Sequence, residues 1–303
     1  MTLSALLASL RKSLRSFGVV NPDVEAETII SHILGMKRSR IYLDPDREIT
    51  ASEREQIDAI VRERARRFPL QYLIGEVEFM GLPFRIKEGV FVPRPETEIL
   101  VEAVLARAGS PGPGTKSEPA TASSSAAGPP RDLRILDLAT GSGVIAISLA
   151  KYLRPAFVLA VDISEAAVSL ARDNARLNRV EDVIRFAVGD GLAPITPADA
   201  SAGFDLVVSN PPYIETGDLA ALQPEVRDYE PRAALDGGPN GLKFIREVAP
   251  GIPSILRRPG IVAFEIGSTQ GERAKSVFRQ IGLSEVEVLQ DLAGRDRVVI
   301  GVA

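Results

Sequence analysis

The sequence contains no cysteine and only one histidine, His32. Without cysteine there is no disulfide, no thiol nucleophile and no cysteine-ligated metal, and cysteine usage says nothing about the redox compartment. His32 falls within a helical pattern at 27–34, which is typical of a packed or surface residue. One histidine in that position argues against serine–histidine triads and zinc sites. We therefore expect chemistry that needs no metal.

An excess of basic charge is also missing, and so is any long hydrophobic run. The 36 Lys and Arg residues are outnumbered by 40 Asp and Glu, giving a formal net charge of −4, whereas phosphate binding needs a basic surface. No apolar stretch is long enough to span a bilayer, and the N-terminus lacks the charged-then-apolar order of a signal peptide. These absences predict a cytoplasmic protein without membrane association or direct nucleic-acid binding.

The chain is long enough, at 303 residues, for one large domain and a small one. Leucines at three- and four-residue spacing predict amphipathic helices, and we assign residues 1–73 to a helical domain. Period-two alternation around Gly81 predicts a β-hairpin linker at 74–92. Residues 93–303 form the second domain. Within it, 109–130 has no Leu, Ile, Val or Phe and is predicted to be a disordered insertion.

One dense basic run lies at 62–67, where four of six residues are arginine. Its simplest interpretation is a solvated helix end, where cations also interact favourably with the helix dipole. A surface that contacts a partner is the alternative. We expect the exposed part of this run to be the first candidate for such a contact.

From residue 133 onward, β-rich runs alternate with helical patterns. Alternation of this kind predicts a doubly wound α/β fold with a mostly parallel sheet and helices on both faces. A helix is predicted near 241–256, and a short turn before the last strand predicts an antiparallel pair there. The seven predicted strands are 133–138, 157–161, 183–188, 204–209, 261–266, 284–289 and 297–302.

The most informative motif is Asn210-Pro211-Pro212-Tyr213, which follows the apolar run 204–209. Two prolines offer no backbone donor and fix φ, so the strand must end here. In open α/β sheets, ligands bind at the carboxyl ends of the strands. A primary amide beside rigid carbonyls and an aromatic ring is suited to holding a planar NH2 group by its two hydrogens. Asn-Pro-Pro alone is also typical of an ordinary turn, and it is the motifs upstream that favour a site.

A turn containing two glycines follows the first predicted strand, from Asp137 to Gly143. A strand, such a turn and a helix start let the backbone approach a nucleotide-like ligand closely. Asp162 ends the second strand, where its carboxylate is placed to accept hydrogen bonds from both ribose hydroxyls. Asp190 follows the third strand, on the side expected for an adenine. By itself, this pattern fits either NAD or S-adenosylmethionine.

In combination, these motifs resemble those of class I S-adenosylmethionine-dependent methyltransferases that act on planar nitrogen. Within that group the sequence is similar to the HemK-like glutamine N5-methyltransferases of peptide chain release factors. The resemblance covers nearly all of the chain except 109–130. Further segments that are similar to this family are 69–75, 91–98, 230–235, 238–242, 265–267 and 291–297.

The resemblance implies methyl transfer from S-adenosylmethionine to the glutamine of the Gly-Gly-Gln motif in class-1 release factors. In that mechanism the Asn210 side-chain oxygen and the Pro211 carbonyl each accept one amide hydrogen, while Tyr213 packs against the flat amide. The implied catalytic residues are Asn210, Pro211, Pro212 and Tyr213. The implied cofactor-binding residues are Ala139, Thr140, Gly141, Ser142, Gly143, Asp162, Asp190, Gly191 and Asn210.

Two positions depart from the family pattern. Ala139 stands where relatives usually have glycine, and its methyl matters if φ is positive there. Gly191 stands where relatives often carry a larger side chain against the adenine. We expect S-adenosylmethionine binding to persist despite both changes.

An adenine-N6 nucleic-acid methyltransferase is the alternative, because such enzymes hold an exocyclic amine with a similar motif. It would need base flipping and a basic groove, which the acidic composition does not favour. Residues 1–73 contain no glycine loop or ribose-binding acid, so we expect the helical domain to recognise the release factor. We expect the protein to act as a monomer.

Overall fold

The structure is a computed structural model that describes residues 1–109, 133–155 and 157–303. The chain divides into two compact units. The helical unit comprises Met1–Glu76 and Gln223–Tyr229, and the sheet unit comprises Val77–Leu222 and Glu230–Ala303. The insertion predicted at 109–130 lies, apart from residue 109, outside the described residues.

The helical unit is built on a leucine stripe. The leucines at positions 3, 6, 7, 10 and 14 are buried along one face of the first helix, as their spacing predicts. This face packs against the second and fourth helices. The helices in this part of the chain are α1 (Leu3–Ser16), α2 (Pro22–Leu34), α3 (Arg38–Leu43), α4 (Ala51–Ala65) and α5 (Leu70–Ile74).

The strands confirm the predicted fold class. A hairpin of β1 (Glu76–Phe79) and β2 (Leu82–Arg85) precedes the main sheet. The main sheet consists of β3 (Arg134–Leu138), β4 (Phe157–Asp162), β5 (Ile184–Val188), β6 (Phe204–Ser209), β7 (Leu256–Glu265), β8 (Ser284–Gln290) and β9 (Asp296–Val302). Its order is β5-β4-β3-β6-β7-β9-β8. β3 to β7 run parallel and β9 is antiparallel to both of its neighbours, so the predicted end pair is present.

Helices cover both faces of this sheet. Successive side chains of a strand point to opposite faces, and accordingly Ile135 packs in one core with Leu100, whereas Leu136 packs in the other with Phe278. The remaining helices are α6 (Thr97–Arg107), α7 (Val144–Leu153), α8 (Glu165–Asn178), α9 (Pro197–Ala202), α10 (Pro224–Arg227), α11 (Lys243–Val248) and α12 (Gly271–Gln280). Among the described residues, no helix is long and apolar enough to cross a membrane.

Proline shortens one predicted helix. The helix expected near 241–256 ends at Val248 and continues as a 3₁₀ turn over Ala249–Ser254. Pro250 and Pro253 remove the backbone donors that a longer α-helix would need. The predicted helix is therefore present but shorter than predicted, and the next strand begins at Leu256 rather than at 261.

The basic run 62–67 is only partly solvated, which corrects its simplest interpretation. Arg64 is 1% exposed, and its guanidinium donates to the carboxylates of Glu25 at 2.9 Å and of Glu225 at 3.0 Å. Arg67 donates two hydrogen bonds to Glu225, at 2.7 and 2.6 Å. Two arginines of the run are thus internal to the helical unit.

These pairs explain why a late segment belongs to the helical unit. Glu225 lies on α10, within Gln223–Tyr229. Burial would raise the pKa of Glu225, but the hydrogen bonds from Arg67 and Arg64 lower it below its usual value. The Tyr229 hydroxyl also donates to the Arg66 carbonyl at 2.9 Å. The segment is therefore held by charge-assisted bonds rather than by apolar packing alone.

We predict that Glu225→Ala destabilises the protein by about 2 kcal/mol, because it leaves the buried Arg64 guanidinium without one of its carboxylates. The measurement is urea unfolding followed by circular dichroism. Asp228→Ala is the matched control, since Asp228 is exposed and its one ion pair among the described residues is with the exposed Arg227. Its expected effect is within about 0.5 kcal/mol. Equal effects of the two variants would contradict the assignment.

Candidate functional site

A cavity of about 760 Å³ lies at the carboxyl edge of the sheet unit, where β3, β4, β5 and β6 end. Parallel strands deliver their following loops to one edge, which is why residues far apart in sequence meet here. The cavity is lined by Asn210, Pro211, Pro212 and Tyr213 and by Ala139, Thr140, Gly141, Ser142, Asp162, Asp190 and Gly191. Of the predicted residues, Gly143 alone does not line it.

The turn after β3 is shaped for close approach of a ligand. Gly141 has φ +57°, and a Cβ added there would meet no atom of the described residues within 4 Å, its two chain neighbours aside. The Thr140 amide donates to the Val161 carbonyl at 2.9 Å, and the Gly141 amide donates to Asp162 Oδ2 at 2.8 Å. The turn is thereby fixed to the neighbouring strand while Gly141 leaves open space in front of it.

Ala139 occupies a left-handed conformation, with φ +55°. Ala139 stands where relatives usually have glycine, and its positive φ means that the added methyl group matters at this position. A left-handed conformation costs an L-residue about 1–2 kcal/mol. Ala139 nevertheless lines the cavity, so alanine at this position is compatible with a ligand site.

The Asp162 side chain lines the cavity and also accepts hydrogen bonds from backbone amides. Its Oδ1 accepts from the Ser164 amide at 2.9 Å, while Oδ2 accepts from Gly141. Burial raises the pKa of the Asp162 carboxyl despite these hydrogen bonds. The Ile163 amide is a third backbone donor to this carboxylate, which has about four acceptor positions, so acceptor capacity remains for a hydroxyl group. Asp190 is exposed at the cavity rim.

A second carboxylate is buried beneath the turn. Asp137 is fully buried, and its Oδ2 accepts from the Thr140 hydroxyl at 2.6 Å and the Ala146 amide at 3.1 Å. Its Oδ1 has no partner within the described chain. Burial raises the pKa of Asp137 to about 7, against the opposing effect of the two donors.

The side-chain amide of Asn210 is oriented by a hydrogen bond to one hydroxyl group, that of Thr97. Every residue of β6 is buried, and Asn210 follows it directly. The Asn210 Nδ2 donates to Thr97 Oγ1 at 2.9 Å. Thr97 begins α6 and is 1% exposed. The hydroxyl takes up the amino end of the Asn210 side chain, which leaves Oδ1 as the acceptor for another group.

The rest of the tetrapeptide is supported through its backbone. Gln270 Nε2 donates to the Tyr213 carbonyl at 2.8 Å, and Gln270 Oε1 accepts from the Gly267 amide at 2.8 Å. A Cβ at Gly241 would lie 2.3 Å from the same Tyr213 carbonyl, so only glycine allows this approach. The backbone of this loop is therefore closely packed at the Tyr213 carbonyl.

An extended strap closes another side of the cavity. Phe91, Pro93 and Arg94 line it. Arg94 donates to Glu230 at 2.6 Å, and its guanidinium lies 4.7 Å from the centre of the Phe91 ring. Burial raises the pKa of Glu230, although the charge of Arg94 opposes this. The strap is thus fixed by a largely buried ion pair.

Comparison with known proteins relates the chain to two described domain families. Residues 5–75 match the family described as PrmC N-terminal domain, and residues 126–224 match the family described as Methyltransferase small domain. A release factor glutamine methyltransferase from Geobacter sulfurreducens is 38% identical over 300 residues, or 99% of this chain and 96% of that protein. One from Moorella thermoacetica is 39% identical over 298 residues, or 98% of this chain and 97% of that protein.

The chain belongs to the release factor glutamine methyltransferase family. The predicted resemblance is thereby confirmed, and with it S-adenosylmethionine as the cofactor. The catalytic domain of hMettl16 in complex with an RNA hairpin superposes with a TM-score of 0.53 at 15% identity, covering 83% of this chain and 82% of that one. That likeness concerns the fold alone.

The residues present fit S-adenosylmethionine. Gly141 leaves open space that a bound ligand can enter, and the Asp162 carboxylate beside it keeps acceptor capacity for a ligand hydroxyl. Neighbouring acidic side chains also suit a cation such as a sulfonium. Thr97 and Gln270 were missed as site residues in the sequence analysis. Thr97 lay within the family-like segment 91–98, whereas nothing in the sequence pattern indicated Gln270.

We predict that Gly141→Ala weakens S-adenosylmethionine binding at least tenfold, or about 1.4 kcal/mol, because the added methyl occupies the open space in the cavity. Isothermal titration measures this. Gly294→Ala is the control, since Gly294 also has a positive φ and open surroundings but lies outside the cavity wall. Unchanged affinity in Gly141→Ala would place the ligand elsewhere.

We also predict a pH-dependent gain in stability from Asp137→Asn in the ligand-free protein. The folded-state pKa of about 7 exceeds the usual value of 3.8, so the stability that this proton supplies is complete below about pH 4. It is lost as pH rises to 7. The difference in unfolding free energy between variant and wild type should therefore grow in the variant's favour over that interval, by on the order of 2–4 kcal/mol. A constant difference from pH 4 to 8 would contradict the burial argument.

Proposed function

We propose that this protein transfers a methyl group from S-adenosylmethionine to the side-chain amide nitrogen of the glutamine in the Gly-Gly-Gln motif of class-1 peptide chain release factors. The observation that carries the proposal is the Asn210 amide, held by Thr97 at the cavity wall with its oxygen left as an acceptor. Relatives named release factor glutamine methyltransferase match almost the whole chain, which supports the same substrate.

An amide nitrogen is a poor nucleophile because its lone pair is delocalised into the carbonyl. Asn210 Oδ1 and the Pro211 carbonyl would each accept one hydrogen of the glutamine NH2 group and so fix its plane. Tyr213 would pack against that plane. When bound, S-adenosylmethionine supplies a methyl group on a positively charged sulfur, which leaves as a neutral thioether. Alignment of this kind contributes roughly 7–11 kcal/mol in well-oriented systems.

The cofactor residues act by placement rather than by proton transfer. Gly141 and its neighbours would bring the backbone close to the bound molecule, and Asp162 would accept from the ribose hydroxyls. Asp190, on the cavity rim, is on the side expected for the adenine. Ser142 and Thr140 line the same wall. After transfer, the methylated nitrogen can release its proton to water, so no general base is required of the protein.

Nucleic-acid methylation is the less supported alternative. The chain has a net charge of −4 and a calculated pI near 5.4, whereas a protein that binds phosphates needs a basic surface. The full-length relatives named for release factors also favour the protein substrate.

Recognition of the release factor by the helical domain, residues 1–73, stays a prediction, as do the monomeric state and the cytoplasmic location. A glutamine side chain offers little contact area, while specific protein interfaces bury about 1,200–2,000 Å². The first 75 residues match the PrmC N-terminal domain from residue 5, which supports a separate role for them. Within the basic run, the exposed Arg62 and Arg66 are the arginines available for such a contact.

We predict that Asn210→Ala lowers the rate of release factor methylation by about 10²–10³, because an oriented acceptor is lost from the site. Mass spectrometry of the Gly-Gly-Gln peptide measures the added methyl. S-adenosylmethionine affinity should stay within a few-fold of wild type. Asp162→Ala is the contrasting variant, with cofactor affinity at least tenfold weaker because a carboxylate that accepts charge-assisted bonds is lost. Near-normal turnover by Asn210→Ala would overturn the amide-binding role.

A further inference from the structure

Glu265 is a buried carboxylate beside the amide-binding loop. It is the last residue of β7, its side chain is fully buried, and neither of its oxygens completes a hydrogen bond within the described residues. Burying a carboxylate without partners is unfavourable, so a group of this kind in a native protein calls for an explanation. Glu265 lies at the carboxyl edge of the sheet, directly after Phe264, which is aligned with the residue before Asn210.

Two hydroxyl groups face this carboxylate, those of Thr97 and Tyr213. Burial raises the pKa of Glu265 to about 7, while the two hydroxyls and the charge of Arg297 oppose the rise. Burial and the negative charge of Glu265 raise the pKa of the Tyr213 hydroxyl, which therefore keeps its proton. Both hydroxyls are thus potential hydrogen-bond donors to the Glu265 carboxylate.

Thr97 links Glu265 to Asn210. A hydroxyl has one hydrogen to donate, and Thr97 Oγ1 already accepts from Asn210 Nδ2 at 2.9 Å. If the Thr97 hydrogen is directed at a carboxylate, its oxygen can only accept. Asn210 must then present its NH2 group to Thr97 and its oxygen to the cavity. A protonated Glu265 could instead donate to Thr97, which would free the Thr97 hydrogen for Asn210 Oδ1 and favour the flipped amide.

We propose that Glu265 is a positioning residue that acts through Thr97 to fix the orientation of the Asn210 amide. In its ionised form it makes Thr97 an acceptor, so that Asn210 offers an oxygen, and not two N–H hydrogens, to the glutamine amide. The proposal rests on the proposed function for its role in catalysis. The direction of the hydrogen bonds among Glu265, Thr97 and Asn210 does not depend on which substrate the protein methylates.

The orientation of the Asn210 amide should depend on pH. As pH falls through the neutral range, Glu265 gains a proton and the acceptor orientation of Asn210 is lost. The charged and titratable groups that face Glu265 are Tyr213 on the tetrapeptide loop, Glu96 before α6 and Arg297 on β9. Arg297 is itself paired with Asp291 at 3.0 Å, so its positive charge is shared. Methylation should therefore slow on the acidic side of neutrality.

The test compares Glu265→Gln, Thr97→Val, Thr97→Ser and Tyr213→Phe with the wild-type full-length protein. Steady-state kinetics on a release factor should show kcat at least tenfold lower for Glu265→Gln, with its KM and the S-adenosylmethionine Kd within twofold of wild type. The acidic limb of the wild-type pH profile should be absent in that variant. Thr97→Val should show a similar loss in kcat, and Thr97→Ser should recover most of it because the hydroxyl returns.

A second readout is independent of activity. The side-chain 1H–15N signals of Asn210 should titrate near neutral pH in the wild type and not in Glu265→Gln. If the wild type fails to methylate release factors but these signals titrate as expected, the proposed function fails while the hydrogen-bond arrangement stands. Should Glu265→Gln fail to fold, the Thr97 pair tests the same link.

Three results would overturn the proposal. The first is a kcat for Glu265→Gln within twofold of wild type across pH 6–8. The second is a loss of cofactor affinity in parallel with kcat, which would indicate a merely structural role. The third is a kcat loss in Tyr213→Phe that reproduces that of Glu265→Gln while Thr97→Val has none, because the link would then run through Tyr213.

Discussion

The parallel register of the central strands is the constraint on which the site depends. Leu138 of β3 is aligned with Val161 of β4 and with Ser209 of β6, and Ser209 is aligned with Phe264 of β7. The residue after each member of this row is Ala139, Asp162, Asn210 and Glu265. A shift of one residue in any strand would send its side chains to the opposite face. One row of backbone pairing therefore brings the turn after β3, the Asp162 carboxylate and the Asn210 loop to the same edge of the sheet.

Burying carboxylates at this edge of the sheet fixes the positions of their side chains but lowers the stability of the folded protein near neutral pH. Asp137, Asp162 and Glu265 all have pKa values raised by burial, which means that their ionised forms weaken the folded state near neutral pH. Ion pairs elsewhere act in the opposite direction, as hydrogen bonds from arginines lower the pKa of Glu225 in the helical unit. Perturbed carboxylates concentrate at functional sites for this reason.

Much of the site was predictable because its residues follow strands. Asp162 and Asn210 could be placed at the cavity from strand ends alone, since an apolar run that stops at an acid or at Asn-Pro-Pro has little ambiguity. Thr97 and Gln270 could not, because a helix start and an isolated glutamine carry no periodic signal for a contact so distant in sequence. The pairing of Arg64 with Glu225 could not be predicted from the sequence either. The arginine run predicted a solvent-exposed helix end, whereas the fold has a buried ion pair there. Local pattern therefore identifies elements, and long-range polar pairs are left to tertiary structure.

The two prolines explain why so much support gathers around the tetrapeptide. Pro211 and Pro212 stiffen the loop but contribute no N–H, so the loop cannot be fastened by donating from those residues. Its fastening must come through carbonyls and side chains, which Gln270 supplies at Tyr213 and Thr97 supplies at Asn210. Because Thr97 accepts from Asn210, the side chain at 210 must carry a hydrogen, and an ionised aspartate would have none to give. Asparagine provides that donor to Thr97 and keeps a neutral acceptor oxygen, which is what the proposed role of Asn210 requires.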